Sequence, residues 1–229
     1  MLTPHECRVL GVLIEKAQTT PGQYPLTLNS AVTGSNQKSN REPVVNLSEE
    51  QVEIALDGLR QKQLVREVML SGSRVSKYRH TARDTLAVTT EELVILAELL
   101  LRGPQSIGEL RGRATRMHPI ESLEEAQSIV DGLRVAGERP MAYVRELPPQ
   151  PGSRARRYAQ LLCPDLHPLD APASGGVEDF DEAAAPVMSR SAGGDARVER
   201  LEAEVASLKA AVRRLAAALG ETDPFADAG

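Results

Sequence analysis

The chain has 229 residues, a formal net charge of −5 and an aromatic fraction of only 3%, with no Trp. This length fits one or two domains, and the scarcity of aromatic rings disfavours proteins that bind single-stranded nucleic acid by base stacking. The chain has no strongly basic region that would bind nucleic acid mainly by its charge. The first 87 residues hold 11 basic and 9 acidic side chains, and most of the net negative charge lies after residue 165.

Residues 1–87 predict three helices followed by a β-hairpin. The first helix begins with Thr3 and Glu6, which are spaced to satisfy each other's free backbone N–H groups. Its apolar residues then recur every three or four positions, as on one face of a helix. The three helices begin at Thr3, near residue 27 and at Ser48, and the two hairpin strands span 64–70 and 74–80.

Residues 88–165 repeat this order. The tripeptide Asp-Gly-Leu occurs at 57–59 and 131–133, and Gly-Ser-Arg occurs at 72–74 and 152–154. The helices of the second unit begin at Thr89, Ser106 and Ser122, and its hairpin strands span 143–146 and 153–161. Three helices and a hairpin are the order of a winged helix-turn-helix domain. We therefore predict a mainly α fold with small β-hairpins, built from tandem winged-helix domains at 1–87 and 88–165.

Longer sequence motifs identify a family. The chain closely resembles the bacterial YceH-like family. This resemblance implies a fold of two winged-helix domains and implies no particular activity. The matching segments are Leu13-Ile14-Glu15-Lys16, Thr20 to Leu26, Asn36 to Val44, Asn46-Leu47-Ser48, Leu99 to Gly103 and Gly108 to Arg111.

The third helix of each unit is unsuited to the major groove, where a helix-turn-helix protein usually inserts it. The outward residues of the first unit's third helix are Glu49, Glu50, Glu53 and Asp57, which phosphate repels. Acidic residues near a helix N-terminus also have a purely structural explanation, since they favour its dipole.

The loop before that helix is a candidate DNA-binding segment. Residues 34–43 are rich in hydrogen-bond donors, and Lys38, Asn40 and Arg41 have the side chains that contact phosphate and base edges. The alternative is structural: the Asn and Ser side chains close turns, and Arg41 pins the loop to its own domain.

The first hairpin is the second candidate. Arg74, Lys77 and Arg79 follow its turn, and strand alternation places Lys77 and Arg79 outward if Tyr78 faces the core. The hairpin of a winged-helix domain is called its wing, and this wing could contact the phosphates or the minor groove of DNA. A solvated edge strand whose charges block aggregation is the alternative.

Nothing in the sequence indicates catalysis. It lacks a phosphate-binding glycine loop, a nucleophile elbow and any metal-ligand spacing, and its four histidines are scattered. We expect a non-enzymatic protein without a metal or cofactor.

The cellular location follows from similar features. Cys7 and Cys163 are too few and too distant for a disulfide framework, and Cys7 lies on an apolar helical face typical of a buried residue. The sequence has neither a signal-peptide pattern nor a membrane-length apolar run. We expect a cytoplasmic protein with no membrane association.

The C-terminal part predicts a disordered acidic linker at 166–195 and a coiled-coil helix at 196–220. β-Branched residues at the first heptad position and Leu at the fourth favour a parallel two-stranded coil. The predicted dimerisation residues are Val198, Leu201, Val205, Leu208, Val212, Leu215 and Leu219. Docking of this amphipathic helix on its own domains is the alternative.

The sequence thus favours a dimeric regulator or adaptor that binds duplex DNA through loop 34–43 and the first wing. The alternative is a tandem winged-helix module that binds protein partners and never touches DNA.

The coiled coil makes a direct prediction. Leu208→Lys places a charge in the middle of the apolar seam, and we expect it to convert a dimer into a monomer. Analytical ultracentrifugation checks this, and an unchanged sedimentation coefficient would refute dimerisation through the coil.

Overall fold

A computed structural model describes residues 1–69, 75–148 and 155–167, which all belong to one unit. The described chain is mainly α-helical with two small antiparallel sheets, which confirms the coarse fold expected from the sequence. The predicted coil at 196–220, and the predicted linker beyond residue 167, lie outside the described residues.

The helices of the first half, residues 1–87, begin at the predicted positions. Thr3, Thr27 and Ser48 each accept a hydrogen bond from the backbone N–H three residues ahead, which satisfies a free donor of the first turn. The elements are α1 Pro4–Thr19, β1 Leu26–Thr27, α2 Leu28–Ser35, α3 Glu49–Gln61, β2 Val65–Val68, β3 Lys77–His80 and α4 Ala82–Thr85.

The second half, residues 88–167, repeats this order from α1 to β3. Its three helices also begin at predicted capping residues, Thr89, Ser106 and Ser122. The elements are α5 Thr90–Arg102, β4 Gln105–Ser106, α6 Ile107–Ala114, α7 Leu123–Leu133, β5 Val144–Glu146 and β6 Arg157–Gln160.

Both sheets have the return strand of the hairpin at the centre, in the orders β1-β3-β2 and β4-β6-β5. The hairpins were predicted, but the two-residue strands β1 and β4 were not, since two residues show no periodicity. In the first sheet Arg66 pairs with Arg79 and Glu67 with Tyr78. Because Tyr78 is buried, Arg79 lies on the opposite surface, which we call the outer face.

The two halves are joined by the packing of α1 against α5. These helices contribute most of the fully buried aliphatic side chains. Cys7, predicted to be a core residue, is completely buried and its thiol contacts that of Cys163 from the second half. Gly11 allows close approach, because a Cβ there would lie 2.9 Å from Leu101 Cγ.

This close approach can be tested by adding one methyl group. Gly11→Ala forces α1 and α5 apart, and we expect it to lower the free energy of unfolding by about 1–3 kcal/mol. Gly112→Ala is the matched control: a Cβ at this position in α6 meets open space, so it should raise stability by roughly 0.5–1 kcal/mol. Denaturant unfolding measures both, and equal effects would contradict the packing argument.

Candidate nucleic-acid interface

The segment that leads from α2 to α3 is held closed by its own side chains. Asn36 Nδ2 donates to the carbonyl of Leu47 at 2.8 Å, and the Leu47 N–H donates to Asn36 Oδ1 at 2.7 Å. The loop ends are therefore locked together by a pair of hydrogen bonds, and Asn36 is not available to a ligand.

Arg41 faces into the protein. It is only 4% exposed, and its guanidinium donates to both carboxylate oxygens of Glu15 in α1, at 2.6 and 3.2 Å. It also donates to the Gly34 carbonyl and to Gln37 Oε1. Burial acts to raise the pKa of Glu15, but Arg41 and Lys16 together outweigh it, so the pKa is lowered. This geometry favours the structural alternative, so we leave Arg41 out of the candidate interface.

Asn40 is likewise turned towards the second half. Its backbone has φ 60°, and its Oδ1 accepts a hydrogen bond from Arg102 at the end of α5. Two residues further on, Glu42 donates its N–H to the Leu101 carbonyl at 2.7 Å and bonds through its own carbonyl to His167 Nε2 at 2.6 Å. The loop at 36–43 therefore connects the two halves, and we call it the clasp. Lys38 is the predicted loop residue that remains exposed.

The predicted residues of the first wing have a different environment. Lys77 is half-buried and Arg79 is exposed on the outer face, while Arg74 lies outside the described residues. Arg66, which the sequence analysis did not select, stands directly opposite Arg79 across the two strands. Val65 is buried, so alternation along β2 would have identified Arg66 as outward.

These three cations form a basic surface, which we call the basic face: Arg66, Lys77 and Arg79. Among the described residues they take part in no ion pair or hydrogen bond, whereas Arg60 and Lys62 each bond a carboxylate. Like charges directly opposite on paired strands repel each other and destabilise the sheet. An anion bound between them would remove this repulsion.

The basic face also affects its neighbour His80. Burial, and secondly the charge of Arg79, lowers the pKa of His80 to about 4. His80 is therefore neutral at pH 7, and the positive charge of this sheet comes from arginine and lysine.

The second sheet lacks an equivalent surface. Arg145 is the counterpart of Arg66, but it pairs with Ala159 rather than with a second arginine. Arg157 donates to the Pro104 carbonyl at 2.5 Å, and Arg156 lies 3.5 Å from Glu146. Arg154 lies outside the described residues.

The arginines in α6 and just after it contact other groups of the second half. Arg111 donates to the Glu121 carbonyl and Arg113 to Gln105, while Arg116 lies 3.5 Å from Glu98.

The exposed side of α3 has the opposite charge. Glu49, Glu50 and Glu53 are exposed and form no ion pair with any described residue. Ile54 stands among them with 65% of its surface exposed. It borders a shallow groove of about 660 Å³ between α3 and the start of α1. The described first half therefore carries separate basic and acidic surfaces.

The described residues contain no helix long and apolar enough to cross a membrane. They also contain no cluster of His, Cys, Asp or Glu that could hold a metal ion.

Comparison with known proteins identifies the class of this chain. The family model described as "Protein of unknown function, DUF480" matches residues 2–153. A UPF0502 protein of Citrifermentans bemidjiense is 47% identical, over 87% of this chain and 86% of its own length. The Klebsiella pneumoniae UPF0502 protein and the Salmonella paratyphi B UPF0502 protein YceH are each 42% identical, over 96% of this chain and 98% of theirs.

The chain therefore belongs to this YceH-like bacterial family, which confirms the resemblance found in its sequence motifs.

The two cations of the loop should respond differently to substitution. Arg41→Ala removes the bidentate partner of the buried Glu15 carboxylate and leaves it only Lys16, at 3.4 Å. We expect a loss of about 3–5 kcal/mol in the free energy of unfolding. Lys38→Ala, at an exposed position of the same loop without a carboxylate partner among the described residues, should change it by less than about 0.5 kcal/mol. Urea titration compares the two, and a mild effect of Arg41→Ala would contradict its structural role.

Proposed function

We propose that each half is a winged helix-turn-helix domain and that the chain is a non-enzymatic regulator or adaptor that binds duplex DNA through the basic face of its first wing. The repeated order of elements and the hairpin at the end of each half support the fold assignment. The fold alone does not define a function, so the proposal depends on the surface.

The observation that carries this proposal is the pair Arg66 and Arg79, with Lys77 beside them. Three cations without carboxylate partners on one sheet face are an arrangement that two adjacent phosphates of a duplex would neutralise. Guanidinium groups suit phosphate especially well because they can donate two parallel hydrogen bonds.

The acidic side of α3 restricts how the duplex would lie. Glu50 and Glu53 would repel phosphates if α3 entered the major groove. Contact through the wing avoids this repulsion. It would discriminate little between DNA sequences, because phosphate contacts position a protein without specifying bases. The proposed binding is therefore weak for one copy and strongly dependent on salt.

Dimerisation is the second part of the proposal. The heptad at 198–219 would bring two basic faces to one duplex, and the second contact would then form at a high effective concentration. Two weak contacts, one from each copy, would together hold the duplex more tightly than either contact alone.

The proposal predicts the behaviour of one double variant. Arg66→Ala/Arg79→Ala should weaken binding to a random-sequence duplex by about 10-fold or more at low salt. It should also reduce the slope of log K against log salt by about 2, because two phosphate contacts are lost. Fluorescence anisotropy across a salt series measures both quantities.

Arg145→Ala is the matched control, because this exposed arginine occupies the same position in the second sheet. It should leave both affinity and slope unchanged. If the wild-type chain binds no duplex even at low salt, or if the double variant binds as well as wild type, DNA binding through the basic face is ruled out.

A module that binds a protein partner and not DNA is the second candidate function. The exposed Ile54, at the edge of a groove and among acidic residues without ion pairs, supports it, because a partner that covers Ile54 would gain buried apolar area. The two candidates use different surfaces, so absence of DNA binding would direct attention to α3.

A further inference from the structure

Arg8 is an arginine buried between the two halves. It lies in α1 and is only 1% exposed. One guanidinium nitrogen, Nη2, donates to the Pro43 carbonyl at 2.6 Å. Its Nε and Nη1 have no hydrogen-bond partner. A guanidinium carries five N–H donors and accepts nothing, so most of the donors of this side chain are unsatisfied.

The positive charge of Arg8 is also uncompensated. No carboxylate among the described residues forms an ion pair with it, while the neighbouring Arg41 is neutralised by Glu15. Burial, and secondly the charge of Arg41, lowers the pKa of Arg8 to about 10, with a smaller opposing effect from Glu42. Arg8 therefore stays charged at pH 7. A buried charge without a partner is strongly unfavourable.

His167 is the second unsatisfied group of this region. It is 6% exposed, its Nε2 bonds to the Glu42 carbonyl at 2.6 Å, and its Nδ1 has no partner. Burial lowers its pKa, and the charge of Arg8 acts in the same direction. Since Arg8 and His167 bind the carbonyls of consecutive residues, 43 and 42, they share one polar region beneath the clasp.

We propose that a small monovalent anion of the halide class, with chloride as the physiological ligand, binds to the free N–H donors of Arg8 at this junction. One anion would neutralise the charge and accept a hydrogen bond from one of the free donors, Nε or Nη1, whereas a water molecule would supply no charge. The ligand is small, because Arg8 is almost completely buried and its free donors are not exposed to solvent.

The bound anion would join α1, the clasp and the end of the second half. An anion that binds only the folded chain stabilises it in proportion to the logarithm of its concentration. Halide would thereby set how firmly the halves are held together. This site is separate from the basic face, and its test uses no DNA.

The first experiment is thermal unfolding of the full-length chain in sodium chloride, sodium bromide and sodium gluconate at matched ionic strength. We expect the Tm to rise by roughly 3–5 °C in the halides relative to gluconate at about ten times the dissociation constant. Arg8→Met should abolish the difference between anions. Arg83→Met, which removes an exposed arginine near Asp84, should retain it.

Equal Tm values of the wild-type chain in chloride and gluconate would overturn the proposal and assign the site to water. A halide effect that persists in full in Arg8→Met would overturn it too, by placing the anion elsewhere. If Arg8→Met does not fold, bromide anomalous diffraction from wild-type crystals decides: a peak beside the Arg8 guanidinium supports the site, and its absence rejects it.

Discussion

The ion pair between Arg41 and Glu15 is the interaction on which the junction of the two halves depends. Both side chains are removed from water at a large cost in solvation, and the bidentate geometry with further bonds to Gly34 and Gln37 offsets that cost. With Arg41 fixed, Glu42 reaches the second half, where its backbone groups bond to Leu101 and His167. The next carbonyl, of Pro43, accepts from Arg8 in α1, so one buried pair orients a whole segment.

This constraint changes how a polar loop should be interpreted. Residues 36–43 have the composition of a ligand-binding loop, yet most of their polar side chains are used inside the protein. Asn36 and Arg41 bond within the first half, and Asn40 and Glu42 bond to the second. Satisfaction of buried polar groups requires such bonds wherever a loop passes between two packed units. The surface that stays available to an anion is instead on the first sheet, where regular strands hold cations apart from any carboxylate.

The sequence predicts local features of this fold well and distant ones poorly. Helix starts such as Thr3 and Ser48 depend on residues three positions apart, so capping patterns locate them. The partner of Arg41 is 26 residues away in sequence, and no periodic pattern identifies it. The same reason applies to the basic face. Alternation within one strand can mark Lys77, Arg79 or Arg66 as outward, but the position of Arg66 directly opposite Arg79 depends on the strand register.

The comparison of the two sheets bears on where a ligand would act. Val-Arg-Glu opens the hairpin in both halves, and the inward residues Tyr78 and Tyr158 are both buried, because the fold needs them. Outward positions have no such requirement, and there the halves differ: Arg79 is exposed, whereas its counterpart Ala159 is 3% exposed. A small residue on a covered face suits packing, and a charged residue on an open face suits binding. The duplication therefore repeats the scaffold twice but the basic face only once, which favours the first half as the part that contacts a ligand and the second as its support.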